Sequence, residues 1–228
     1  MPSHTSLYLA HLTQLAFVRI VDELPAASAA DRARVAMLFH FGNERSSKFQ
    51  RYYIRVTNNR PQFLQTKDFF RTFKTEYALQ GVDAGHLTLL EGSKPRLLSM
   101  ITRDRLVPLY REYFADGTIL HKGHPVHKNL GSFFAKFVHT FKPETYCALD
   151  NPIRELLGLK RESFFQSFLA ISAAYRTWIS KYPECMAQVR GAVPDDARSH
   201  TDQMTDLKLL DLIFWQRAIS QPPVTRKR

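Results

Sequence analysis

Eight cationic side chains between positions 45 and 74 carry the most legible chemistry in this sequence. Arg45, Lys48, Arg51, Arg55, Arg60, Lys67, Arg71 and Lys74 stand against a single acid, Asp68. Guanidinium and ammonium groups at that density neutralise phosphates, which gives affinity without sequence preference. Lys48, Arg51 and Arg55 step by three and four residues, so on a helix they share one face. Phe63, Phe69, Phe70, Phe73 and Tyr77 are interleaved with them or follow them. Exposed, such rings stack on unpaired bases; their helical stripe instead assigns the phenylalanines to a core. Lys122 and Lys128, in TILHKGHPVHKN, are expected to add phosphate contacts from a polar loop. His121, His124 and His127 in that loop are spaced three apart, which invites a metal reading. Gly123 and Pro125 break any helix there, and no acid or cysteine lies within the segment, so neither a metal site nor a cofactor is expected.

The bulk properties agree with a polyanionic partner. The chain has 228 residues and a formal charge of +11, with an isoelectric point near 9.8. Hydrophobic residues make up 44%, enough for a sizeable core. The two cysteines, Cys147 and Cys185, are neither a disulfide framework nor a zinc set, so a reducing cytoplasm is expected. The first 25 residues do not read as a signal peptide: their first positive side chain, Arg19, lies inside the apolar run, which His4, His11 and Gln14 interrupt. No apolar run approaches the roughly 18 residues that span a bilayer, and no membrane partner is expected.

The elements that must position these groups read as helices. Ser6–Leu24 has helical periodicity and stops at Pro25. Asp31 is expected to cap a second helix. Arg45 to Asn58 forms a third, ended by Asn58, Asn59 and Pro61, with YYIRV at 52–56 as a competing strand. Gln62–Leu79 reads as one helix, 81–95 as a loop with a possible strand at Leu87–Leu90, and Arg96–Phe114 as a helix kinked at Pro108. Lys160–Lys181 is a long buried helix, Gly191–Thr205 a polar loop and Asp206–Ser220 the last helix. Between them lies the central stretch, Leu130 to Leu159. Ser132–Phe141 forms a helix that buries Phe133, Phe134, Phe137, Val138 and Phe141 and leaves Lys136 and His139 on the remaining arc. Asp150 or Asn151 caps the next helix, with Pro152 in its first turn. His139 is expected to be a satisfied, partly buried histidine rather than an acid–base group.

The segment SFFAKFVHTFKPETYCALD resembles the S-K-hydrophobic-H-F-x-x-P…Y-D pattern of a broad, mostly uncharacterised group of prokaryotic all-α proteins. That group tends to end in a helix of the type LRxLDxxLW; here Leu207–Trp215 reads LKLLDLIFW. The two signatures cover roughly the C-terminal half. The group is distantly similar to the helix-hairpin-helix DNA glycosylases. The resemblance implies that Asp150 is the acid that stabilises a developing sugar cation or helps activate the attacking group, with Lys136 or Ser132 on the helix beside it. A carboxylate suits that task because cleaving an N-glycosidic bond builds positive charge on the sugar. The chain departs from those enzymes in lacking their glycine-rich hairpin and iron–sulfur cysteines, and Lys136 sits about one helical turn from the place of a catalytic lysine.

The expected fold is all-α, a single compact multi-helix domain. It divides into an N-terminal basic region at 1–95, a C-terminal helical core at 96–220 and a basic tail at 221–228. The expected function is a nucleic-acid-binding accessory protein, with DNA rather than RNA as partner. The resemblance adds a subunit of a prokaryotic antiviral or mobile-element system. The alternatives are a base-excision enzyme of the glycosylase type and a protein-interaction subunit that meets an acidic partner.

Overall fold

Helical periodicity is realised along almost the whole chain. The computed structural model describes residues 4–79, 81–121 and 124–220. Among them the fold is all-α: α1 (His4–Glu23), α2 (Ala29–Phe41), α3 (Glu44–Asn58), α4 (Phe69–Glu76), α5 (Ala84–Gly92), α6 (Lys94–Thr102) and α7 (Leu106–Tyr113) come first. A hairpin of β1 (Gly117–His121) and β2 (His124–Lys128) follows. Then come α8 (Gly131–Phe141), α9 (Asn151–Leu156), α10 (Phe164–Lys181), α11 (Pro183–Gly191), α12 (Asp195–Thr201) and α13 (Asp206–Ser220). None of these helices is long and apolar enough to cross a membrane.

The centre of the core is a phenylalanine cluster. Phe63, Phe69, Phe70 and Phe73 on one side meet Phe133 and Phe137 of α8 on the other, all essentially buried. Phe73 stacks on Phe133 at 5.5 Å between ring centroids, and Phe70 lies 5.1 Å from Phe137. Offset and edge-to-face contacts of this kind add to the large apolar area each ring buries. α1 lies along α10, while α13 packs against α2, α9 and α10, and α8 packs against α3 and α10.

Several elements differ from the sequence expectation, each for a local reason. The run at 62–79 is not one helix. Phe63 and Phe69 touch edge to face at 4.7 Å, a contact that two positions six apart on one helix cannot make because they face different sides. The chain therefore turns between them, and Asp68 takes a left-handed conformation (φ 51°) before α4. The break in 96–114 falls at Asp104 (φ 57°), whose carboxylate accepts from Lys142 Nζ and the Tyr146 hydroxyl, both at 2.9 Å. Pro108 sits in the first turn of α7, where a missing N–H costs nothing. The stretches 52–56 and 87–90 are helical, within α3 and α5, and the expected loop at 81–95 holds α5 and the start of α6. The histidine-rich segment is a hairpin rather than a loop, with Gly117 opposite Lys128. The polar stretch at 191–205 contains α12, and Asp31 lies in the first turn of α2 rather than at its cap, which is Ser28.

Candidate functional site

α8 presents two adjacent faces, about 100° apart around its axis. Phe133 and Phe137 enter the phenylalanine cluster, while Ser132 and Lys136, one helical turn apart, point toward the N-terminus of α9. Gly131 opens the helix because a Cβ there would fall 2.2 Å from the Phe164 ring. The ring thus packs directly on the first turn and sets the position of Ser132.

Asp150 is the N-cap of α9, as expected, and it does more than cap. Its Oδ1 accepts from the Asn151 N–H at 2.9 Å and from Ser132 Oγ at 2.6 Å; its Oδ2 accepts from Lys136 Nζ at 3.0 Å. Burial works to raise the Asp150 pKa. The Lys136 charge and these hydrogen bonds outweigh burial and hold the carboxyl below the usual carboxylate range. Lys136 is largely enclosed (12% exposed), whereas Asp150 keeps 31% of its side chain open.

The segment that carries Asp150 is pinned from α13. The Ala148 N–H donates to Asp211 Oδ2 at 2.5 Å, and the Cys147 N–H donates to Ser172 Oγ at 3.0 Å. Asp211 is buried, and burial pushes its carboxyl up to about 6. One turn before it, Lys208 is buried as well and pushed down to about 8; its ammonium lies 4.9 Å from the centre of the Tyr53 ring. Neither residue was singled out in the sequence. The available signal was their placement: two charges three residues apart in the otherwise apolar Leu207–Trp215.

Behind this group, His139 is buried and neutral. Its Nδ1 donates to the Tyr146 carbonyl at 2.5 Å, because a carbonyl can only accept, so Nε2 is left to accept from the Tyr53 hydroxyl at 3.0 Å. Burial pushes its pKa down to about 3. It is a satisfied core histidine, and it ties α8 to α3 through Tyr53.

Two depressions of about 500 Å³ each meet at this point and share Tyr77, Ala78, Lys136 and Asp150. One runs toward Arg45, Phe49 and Trp215, the other toward Lys128 and Arg154. Asp150 and Lys136 therefore lie in the middle of a groove.

The expected phosphate-binding residues divide as follows. Arg45, Lys48, Arg51, Arg55, Arg60, Lys67 and Arg71 are exposed on α3, the turn after it and α4. Of these only Lys48 meets a carboxylate among the described residues, Glu76 at 3.8 Å. Arg55 lies over the Tyr52 ring. Lys74 departs from the expectation: it is half-buried and donates to the Val82 carbonyl at 2.8 Å, which closes the turn after α4. Lys128 is exposed at the end of β2. Lys122 lies outside the described residues, as does the basic tail. His127 sits 3.3 Å from Asp116 on the open side of the hairpin.

Comparison with protein families, with curated proteins and with solved structures yields no match to this chain.

Proposed function

We propose that the protein binds nucleic acid, with DNA as the main partner, through the cationic surface of α3 and α4 and the groove that begins at Arg45. The observation that carries this reading is the freedom of that surface. Six of the seven exposed cations at 45–71 have no carboxylate within ion-pair distance among the described residues, so their charge is available to phosphates. A cationic surface kept only for solubility mixes both signs evenly; here the seven exposed cations at 45–71 outnumber the acids Glu44, Asp68 and Glu76 of α3 and α4.

Duplex DNA titrated by fluorescence anisotropy at rising salt tests it. Affinity should fall steeply and linearly in log–log form, and replacing Arg51 and Arg55 together by alanine should lower that slope by about 2 while weakening low-salt binding about tenfold. Absence of binding at low salt would favour the protein-interaction reading, in which the same face meets an acidic partner.

A second reading, base excision of the glycosylase type, is favoured by one observation. The carboxylate of Asp150 is ionised, oriented by Ser132 and Lys136, and open to the groove. An anion held in that way can stabilise a developing sugar cation. Asp150→Asn separates the two readings. A binder keeps its affinity and loses about 2–3 kcal/mol of stability, because Asn still caps α9 but the enclosed Lys136 ammonium loses its charged partner. An excision enzyme keeps its affinity and loses base release.

A further inference from the structure

Lys208 is a recessed cation that the fold leaves free. It is 8% exposed. Its backbone N–H bonds Thr205 Oγ1, but its ammonium makes no hydrogen bond and meets no carboxylate within ion-pair distance among the described residues. One side of the ammonium rests on the Tyr53 ring, and the side chain lines the depression between α3 and α13. The unpaired oxygens of Asp211 and Gln50 nearby are sealed from solvent; Lys208 Nζ is not. Burial lowers it to about 8, so it keeps its charge at neutral pH. Three N–H donors on a buried ammonium are costly to leave unused.

The other charges of the depression do not cancel this one. Asp150 is engaged by Lys136 and Ser132. Asp211 is 3% exposed, gives its Oδ2 to Ala148 and has its Oδ1 sealed, so it presents almost no oxygen to a guest. Arg45 stands exposed at the rim without a carboxylate partner among the described residues. The surplus is positive, with one cation recessed and one at the rim. Ser46 adds a hydroxyl, and Phe49, Tyr77 and Trp215 add apolar walls that strengthen the attraction by excluding water. The guest is therefore an anion whose charge lies at one end. A phosphodiester within a strand has a nucleoside on either side and lies along a surface. A phosphate monoester stands at the end of its molecule, carries a charge of about −1.5 to −2 and offers three acceptor oxygens. Two cations match that charge, whereas a carboxylate matches one.

We infer that the depression between α3 and α13 receives a phosphate monoester, with Lys208 holding the group at the inner end and Arg45 meeting it at the rim. The group can be the terminal phosphate of a strand or part of a free small molecule. Only the first source rests on the strand binding proposed above. Arg45 opens the series Lys48, Arg51 and Arg55 on one side of α3, so a strand that follows this face brings its end to the depression.

The experiment has two arms and uses the whole chain. In the first, one internally labelled duplex is titrated by anisotropy with its 5′ ends phosphorylated or left as hydroxyls. In the second, ribose 5-phosphate and inorganic phosphate are titrated by calorimetry. Lys208→Met, which keeps the stem over Tyr53, and Arg45→Gln are measured in parallel, with thermal melts to check folding. The phosphorylated duplex should bind about tenfold more tightly than the hydroxyl-ended one. Lys208→Met should erase that preference and leave hydroxyl-ended binding unchanged. A preference for the phosphorylated duplex, or binding of a free phosphate, supports the site if Lys208→Met removes it; the arm that responds identifies the source. Should Lys208→Met fail to fold, Arg45→Gln decides, because it must reduce the same preference. Equal binding of both duplexes with no free phosphate bound overturns the inference and leaves the nucleic-acid reading standing. A response that the variants leave unchanged overturns it as well. Free phosphate bound without either duplex supports the site and removes the nucleic-acid reading.

Discussion

Replacing Lys136 by methionine is expected to cost about 2–3 kcal/mol of stability at neutral pH. Removing one partner of a fully buried pair costs about 3–5 kcal/mol because the other charge is left uncompensated; the partial exposure of Asp150 reduces that range. Methionine keeps the apolar stem of Lys136, so the loss reports the charge rather than packing. Urea unfolding checks it. In an Asp150→Asn background the same replacement should cost much less, and the difference between the two backgrounds, about 2 kcal/mol, is the coupling of the pair. The sign with pH follows from the depressed carboxyl. A group whose folded pKa lies below its unfolded value contributes stability above the unfolded value and loses it as pH falls through the folded one. The penalty of Lys136→Met should therefore be full at neutral pH and shrink as Asp150 becomes protonated.

Acidification gives the second large effect. His139 and His40 are buried, and burial lowers them to about 3 and about 4, so each is neutral in the folded chain. His40 is held by a hydrogen bond from its Nε2 to the Leu212 carbonyl at 3.0 Å. In the unfolded chain both take up protons near their ordinary value, so the unfolded state binds more protons and stability falls as pH drops below about 6.5. Asp211 acts in the opposite sense. Its raised carboxyl binds a proton more readily in the folded state, so its contribution improves as pH falls through about 6. The two histidines outweigh the one carboxyl, and the net loss between neutral pH and pH about 5 is about 2 kcal/mol. Denaturant midpoints across that range test this. His139→Gln, which cannot gain a proton, should remove most of the acid limb, because the roughly 2 kcal/mol of the remaining imidazole is largely offset by Asp211. A flat wild-type profile would mean that neither imidazole is as enclosed as Tyr53, Tyr146 and Leu212 make it.

Elements with strong local signals were legible from the residues. α13 begins at Asp206 and ends at Ser220, where its periodic pattern does. The Asp150–Asn151–Pro152 sequence marks the start of α9, because a cap and a proline in the first turn are both short-range devices. The phenylalanines at 63–73 were rightly assigned to the core by their spacing. The turn at Asp68 and the break at Asp104 were not legible. Each is fixed by a distant partner: Phe137 and Phe141 hold Phe63 beside Phe69, and Lys142 and Tyr146 hold Asp104. The same limit applied to Lys74, a cation in the sequence that the fold spends on the Val82 carbonyl.

By itself the sequence determined the helical class, the apolar faces and the concentration of positive charge at 45–74, since these depend on residue type and on spacing within a few turns. The tertiary structure alone decided which charges meet. Lys136 and Asp150 belong to consecutive elements, but Asp211 and Lys208 arrive from a helix some sixty residues later and Gln50 from one nearly a hundred residues earlier. Their convergence is set by how α3, α8 and α13 pack, and packing is a property of the whole core rather than of any stretch of chain.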